Sequence, residues 1–331
     1  MKTLMKSGQR PPIHRDLDEI LEPFRSGQMA LNDALRRLHT HEEFGIKREI
    51  GRSLQADSDR FEAIMSELDH LIGLRQVKSL VKEIYAFIQI QERRKAARLV
   101  AEPVVLHMIF RGNPGTGKTT VARILARLLR EMGVLSKGHL VEVERADLVG
   151  EYIGHTAQKT REHVKKALGG ILFIDEAYSL ARGGEKDFGK EAIDTLVKAM
   201  EDHKNDFILI LAGYGYEMDL FLRTNPGLPS RFPITVTFED YEENELMQIA
   251  KFMLRSREYR LSTEADVKLR QYLRACIQHR KVNFSNARMV RNIIERAIRQ
   301  QAVRLLHVKS PTREELMMIT ADDLVLEEGE Q

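Results

Sequence analysis

Eight consecutive residues, Gly112-Asn113-Pro114-Gly115-Thr116-Gly117-Lys118-Thr119, fit the pattern G-x-x-x-x-G-K-[ST]. Small residues at this spacing let successive backbone N–H groups converge on phosphate oxygens. Lys118 would neutralise the β and γ phosphates, and the Thr119 hydroxyl would ligate Mg²⁺, with Thr120 completing the binding set. Roughly sixty residues later the apolar run Ile171-Leu172-Phe173-Ile174 ends in Asp175-Glu176. A short continuous apolar run reads as a strand buried on both faces, and carboxylates at its end stand where open α/β sheets bind ligands. Asp175 would hold Mg²⁺ directly or through water, and Glu176 would orient and polarise an attacking water. Taken alone, the glycines make an ordinary loop and Asp-Glu a solvated turn. In this order and spacing the two segments specify a site that hydrolyses ATP.

The elements around them must place phosphate at the start of a helix. Leu106 to Phe110 has strand length, and Val121, Ile124, Leu125, Leu128 and Leu129 repeat at helical spacing, giving strand, loop and helix. Further strands are expected at Leu140 to Val143, Ile171 to Ile174, Phe207 to Leu211 and Ile234 to Phe238, alternating with helices. That alternation predicts an α/β fold: a five-stranded, mainly parallel sheet flanked by helices. Upstream, Leu71-Ile72-Gly73-Leu74 leads into Val77, Leu80, Val81, Ile84 and Ile88, an amphipathic helix. After Tyr241 the spacing is helical and no core strand is evident. Three parts follow: a polar N-terminal extension, helical or partly disordered, over residues 1–60; a nucleotide-binding α/β part over 61–240; and an all-helical lid with a short acidic tail over 241–331.

Composition narrows the class of protein. With 331 residues, 43% of them hydrophobic, the chain can bury a sizeable core. Its formal charge of +3, from 52 basic and 49 acidic residues, is too balanced for a nucleic-acid coat or a membrane surface. A single cysteine, Cys276, excludes an intrachain disulfide, and histidines such as His39 and His41 lack the spacing of a zinc site. No run approaches the length needed to span a bilayer, and the N-terminus has no signal-peptide core. The expectation is a cytoplasmic protein without membrane or nucleic-acid partners.

Asn225-Pro226-Gly227-Leu228-Pro229-Ser230-Arg231-Phe232 places an arginine just before the last core strand. Here the chain resembles the AAA+ ATPases, and the resemblance implies that Arg231 reaches the nucleotide of a neighbouring subunit. A P-loop core, a helical lid and a closed homo-oligomeric ring, hexameric in this family, are implied with it. Phe284-Ser285-Asn286-Ala287-Arg288 is similar to the sensor-2 motif Gly-Asn-Ala-Arg, with Ser285 in place of glycine. Arg288 would then touch the γ-phosphate in cis, although Arg291 lies one helical turn on. Tyr214 stands at the sensor-1 position, where many relatives carry a smaller polar residue. Leu71, Ile72 and Gly73 match the segment that lines the adenine pocket, though an apolar helix start explains them nearly as well.

Gly150-Glu151-Tyr152-Ile153-Gly154-His155-Thr156 resembles pore loop 1 of protein-remodelling AAA+ rings. Tyr152 and Ile153 would grip an extended polypeptide by apolar area plus a polar tip, without reading its sequence. Arg182 to Phe188 is similarly placed to a second pore loop, or is only a charged turn. Over about residues 65 to 325 the chain resembles the branch that contains stage V sporulation protein K and the CbbX-type activases of red-type Rubisco. The run from Ala181 to Leu196 is especially similar to the sporulation member, so the resemblance implies an ATP-driven protein remodeller acting in spore maturation, with Rubisco reactivation as the alternative. A nucleotide-gated binding scaffold is a further alternative, motivated by the basic helix from Arg288 to Arg304.

Overall fold

The computed structural model describes residues 60–100, 105–152, 154–182, 187–204, 206–225, 227–278 and 284–326. Residues 1–59, expected to form the polar extension, lie outside that set, as do Ile153, Pro226 and the acidic tail from Glu327. The chain divides into Met1–Glu62 and Ala63–Gln331; the second unit carries every element below.

Helix α1, Arg75–Ala96, buries Val77, Val81, Ile84 and Ile88, the stripe its spacing predicts. There follow β1 (Met108–Gly112), α2 (Lys118–Glu131), β2 (Leu140–Val143), the short α3 (Arg145–Leu148), α4 (His155–Ala167) and β3 (Ile171–Ile174). Next come α5 (Gly189–Asp202), β4 (Ile208–Gly213), α6 (Gly215–Thr224) and β5 (Ile234–Phe238). The five strands lie in the order β2-β3-β4-β1-β5 and all pair in parallel. β3 and β4 are buried along their whole length, which is why they read as unbroken apolar runs. The order sets β4 between β1 and β3, so the loops leaving those three strands gather at one edge of the sheet.

The lid packs α7 (Glu243–Arg255), α8 (Thr263–Gln278) and α9 (Asn286–Leu305) around Leu246, Leu269, Leu273, Val290 and Ile294. It is not wholly helical. Arg260–Leu261 (β6) and Met318–Ile319 (β7) form a two-residue parallel pair, with α10 (Arg313–Met317) between α9 and β7. Two residues are too few for any periodicity, and the pair exists because the chain after α9 folds back over the lid. Arg304 clamps that return with both guanidinium arms on the buried Asp323 carboxylate at 2.9 Å.

A buried histidine sits under the sheet. His107 is 4% exposed, its ring lies against Phe207 and Phe232, and its Nδ1 accepts the Leu209 N–H at 3.0 Å. Burial pushes its imidazole down from 6.5 to about 4. The unfolded chain therefore takes up a proton below pH 6.5 that the folded chain refuses until about pH 4, so this contribution to stability is full above 6.5 and lost through that interval. The shift corresponds to about 3 kcal/mol. In urea unfolding, His107→Asn, which keeps an acceptor in place of Nδ1, is expected to start less stable at neutral pH. Its stability should then fall less steeply between pH 6.5 and 4 than that of the unaltered chain; parallel curves would refute the assignment.

Candidate active site

The Gly-rich loop leaves β1 and runs directly into α2. Gly117 stands at the helix cap with φ 96°, a left-handed conformation that glycine adopts without cost, and Lys118 is the first helical residue. The unpaired N–H groups of the first turn thus face the space beneath the loop, where the helix dipole favours an anion. Lys118 is 9% exposed and its Nζ donates to the carbonyls of Gly112 (2.8 Å) and Asn113 (2.9 Å). Burial draws its ammonium down to about 8; Asp175 and Glu176 oppose the shift, and Arg288 adds to it. Thr119 is half-buried beside it and Thr120 is exposed.

Across the β4 strand stand the two carboxylates. Asp175 follows the last residue of β3, and its Oδ1 accepts the N–H of Glu176 at 3.0 Å. Glu176 turns the chain with φ 47° and ψ 43°, left-handed although it is not glycine. Such a conformation costs on the order of 1–2 kcal/mol and turns Glu176 out of line with the strand. Its Oε1 lies 3.5 Å from the hydroxyl of Tyr214, the residue that leaves β4 between the loop and the carboxylates. Burial raises the Tyr214 phenol first, and the Glu176 charge raises it further. The Tyr178 phenol is raised by the same two causes, its ring lies 5.6 Å from that of Tyr214, and the Arg182 guanidinium sits over it at 4.7 Å.

The lid closes on the loop from above. A Cβ on Gly115, which has φ 71°, would lie 2.4 Å from the Ser285 carbonyl oxygen and 2.7 Å from the Arg288 nitrogen. Arg288 and Arg291 are both exposed, but it is Arg288 whose charge acts on Lys118 and Tyr214. Ile72 and Leu74 pack into the lid core beside Tyr241, and Gly73 is pressed against Glu245. Leu71, whose carbonyl accepts from Lys78 Nζ at 2.6 Å, belongs to the same turn.

Two expected residues lie apart from this cluster. Arg231 donates to Glu201 at 2.5 Å and to the Gly227 carbonyl at 2.6 Å. Tyr152 is 66% exposed, its ring edge-on to His155 at 5.4 Å. The base of its loop is fixed by the buried Thr156, whose Oγ1 accepts the Gly150 N–H at 2.9 Å. A cleft of about 520 Å³ runs from Asp175 and Glu176, past Glu144 and Arg145, to Gly150 and Glu151 at that base.

Residues 108–240 match the ATPase family associated with various cellular activities (AAA), and residues 242–331 match the AAA lid domain. Stage V sporulation protein K of Bacillus subtilis (strain 168) is 59% identical over 266 residues, 80% of this chain and 83% of that protein. The chain is an AAA ATPase. Other members of the family include protein CbbX of Cereibacter sphaeroides, 47% identical over 75% of this chain and 80% of its own length. The chloroplastic ribulose bisphosphate carboxylase/oxygenase activase of Cyanidioschyzon merolae is 44% identical over 80% of this chain and 92% of its own. Among solved structures, a mutant RuvB of Thermotoga maritima has the same fold, with TM-score 0.50 and 19% identity over 78% of this chain and 69% of that one.

The sequence pattern leaves out Asp240, which accepts from Asn113 in the loop and Asn286 at the lid, and Arg145; Asn286 stands within the sensor-2-like string but has no role assigned there. The Arg145 guanidinium donates to the Ser179 carbonyl and to Asp187, both at 2.6 Å. Asp240 and Arg145 belong to no short motif; only their partners, distant in sequence, give them a role. Gly115→Ala is expected to combine a left-handed alanine with a collision against the first turn of α9, costing about 2 kcal/mol or more in thermal unfolding. Nucleotide-analogue fluorescence should show ATP binding lost with it; unchanged binding and melting would mean the lid does not press on the loop.

Proposed function

We propose that this AAA ATPase works as a closed ring, hexameric as in the family resemblance, that converts hydrolysis of Mg·ATP into traction on a protein client. The observation that carries the reading is the shared cleft: the exposed Tyr152 loop is rooted in the same hollow as Asp175 and Glu176. A change at the carboxylates when phosphate leaves has a short route to the loop that would grip the client. Leu71, Ile72 and Gly73 would border the adenine. The backbone N–H groups between Gly112 and Thr120, Pro114 excepted, would hold the phosphates with Lys118. Thr119 and Asp175 offer a hydroxyl and a carboxylate, hard oxygen donors that fit a Mg²⁺ otherwise held by phosphate and water. That ion would offset the charge on the phosphate oxygens. Glu176 would accept a proton from the attacking water, and Arg288 would face the γ-phosphate.

Arg231 would act in trans. Its partners, Glu201 and the Gly227 carbonyl, belong neither to the phosphate loop nor to the carboxylate pair, which supports its delivery to a neighbour's nucleotide, where a guanidinium stabilises charge on the transferring group. Spore maturation is the setting we favour, on the strength of the 59% identical relative bearing that name. Reactivation of Rubisco is the second reading, supported by the activase at 44%. The cytoplasm suits the lone thiol, Cys276, and no helix among the described residues is long and apolar enough to cross a membrane.

The parts should fail separately. Glu176→Gln is expected to retain bound ATP while turnover falls by about 10²-fold or more. Arg231→Ala should bind ATP with turnover about 10³-fold lower in the assembled ring; full turnover there would remove the trans role. Tyr152→Ala should hydrolyse ATP and lose client remodelling. Purifying Glu176→Gln from cells under ATP and identifying the retained protein decides the setting: the Rubisco large chain would select the second reading over the first.

A further inference from the structure

Four consecutive residues of the phosphate loop are each bonded outward, to the lid or to the two residues before it. Asn113 Nδ2 donates to both carboxylate oxygens of Asp240, at 2.9 and 3.1 Å. The Pro114 carbonyl accepts from Asn286 Nδ2 at 3.4 Å, and the Gly115 carbonyl from the Ala287 N–H at 3.2 Å. The Thr116 carbonyl accepts the Tyr241 hydroxyl at 3.2 Å. With the carbonyls of Pro114, Gly115 and Thr116 and the Asn113 side chain drawn outward, the N–H groups of Gly115 and Thr116 are kept for the phosphates.

Asp240 and Asn286 are the nodes of this arrangement. Asp240 lies in the hinge between β5 and α7, and its Oδ1 accepts from Asn113 and, at 2.7 Å, from Asn286 Nδ2. Asn286 is fully buried at the first turn of α9, and its Oδ1 accepts the Tyr241 N–H at 2.9 Å. Its φ of 46° is left-handed, which asparagine tolerates better than most residues, so its side chain reaches loop, hinge and lid at once. A carboxylate that takes an amide from the loop and another from the lid makes loop shape and lid angle one coordinate. Hydrogen bonds to a charged acceptor are the stronger kind, and these are part-buried.

We propose that Asp240 is a positioning residue for nucleotide binding. Through Asn113 and Asn286 it clamps the lid to the phosphate loop before nucleotide arrives, so that the site is preorganised and lid movement is transmitted to the loop amides as well as through Arg288. The inference rests on the nucleotide reading of the loop. Losing the clamp lowers the fraction of chains in the binding-competent arrangement, and apparent affinity falls by that fraction. The chemical step, once the nucleotide is bound, is left alone.

The test uses the full chain with spin labels at Lys198→Cys in α5 and Val303→Cys in α9, in a Cys276→Ser background diluted with unlabelled chain. Without nucleotide, the unaltered clamp should give one narrow intrachain distance, and Asp240→Ala a broad distribution. The KM for ATP should rise about tenfold, the loss expected for one charge-assisted hydrogen bond, with kcat nearly unchanged. Asp240→Asn, which keeps an acceptor for Asn286, should recover most of both. Asn286→Gly removes the amide while relieving the left-handed strain, and should broaden the distance even where it folds well. A narrow distance in both Asp240→Ala and Asn286→Gly, or a fall in kcat at constant KM, would overturn the proposal. The unliganded distance requires no ATP, so it decides the clamp separately from the nucleotide reading.

Discussion

An ammonium held out of water at the head of α2 is the interaction on which the site depends. Lys118 gives up hydration for two carbonyl oxygens of its own loop, partners that carry only partial charge, and its lowered pKa measures the deficit. A second cation, Arg288, deepens it, while Asp175 and Glu176 repay only part. A polyphosphate, as proposed, would supply the missing negative charge in a place where the surrounding protein weakens screening. The remainder of the α/β unit can be understood as what keeps that lysine dry and aimed: central strands buried along their length, a helix starting at the loop, and a lid that packs against it.

Strand order does the rest of the positioning. Because β4 lies between β1 and β3, the phosphate loop and the carboxylate pair flank one strand, and the residue leaving that strand, Tyr214, falls between them. A sheet of another order with the same segments would set lysine and carboxylates apart. The distances in the site are therefore consequences of topology before they are consequences of side-chain choice.

Much of this was legible in the residues. Buried strands announce themselves as apolar runs, and β2, β3 and β5 lie where those runs lie. The ends of β1 and β4 differ: an apolar run marks burial and not the hydrogen-bond ladder, so Leu106 is buried outside β1 while Arg111 and Gly112 belong to it. The phosphate loop and Asp175-Glu176 were visible because their chemistry is local in sequence. What was not visible is whatever depends on pairing at long range, including His107 bonded to Leu209, Asp240 bonded to Asn113, and the β6–β7 pair. Asn286 was within a recognisable string, but the arginine two residues on drew the functional reading, and only its burial shows that it is the structural partner.

The backbone at Glu176 sets two demands against each other. A glycine there would adopt φ 47° freely, and the fold would gain what the glutamate forfeits. The same exchange would strip the carboxylate from the edge of the sheet. Selection for thermal robustness alone would favour glycine here, so the strained backbone is what the chain gives up to carry a carboxylate at this point of the sheet edge.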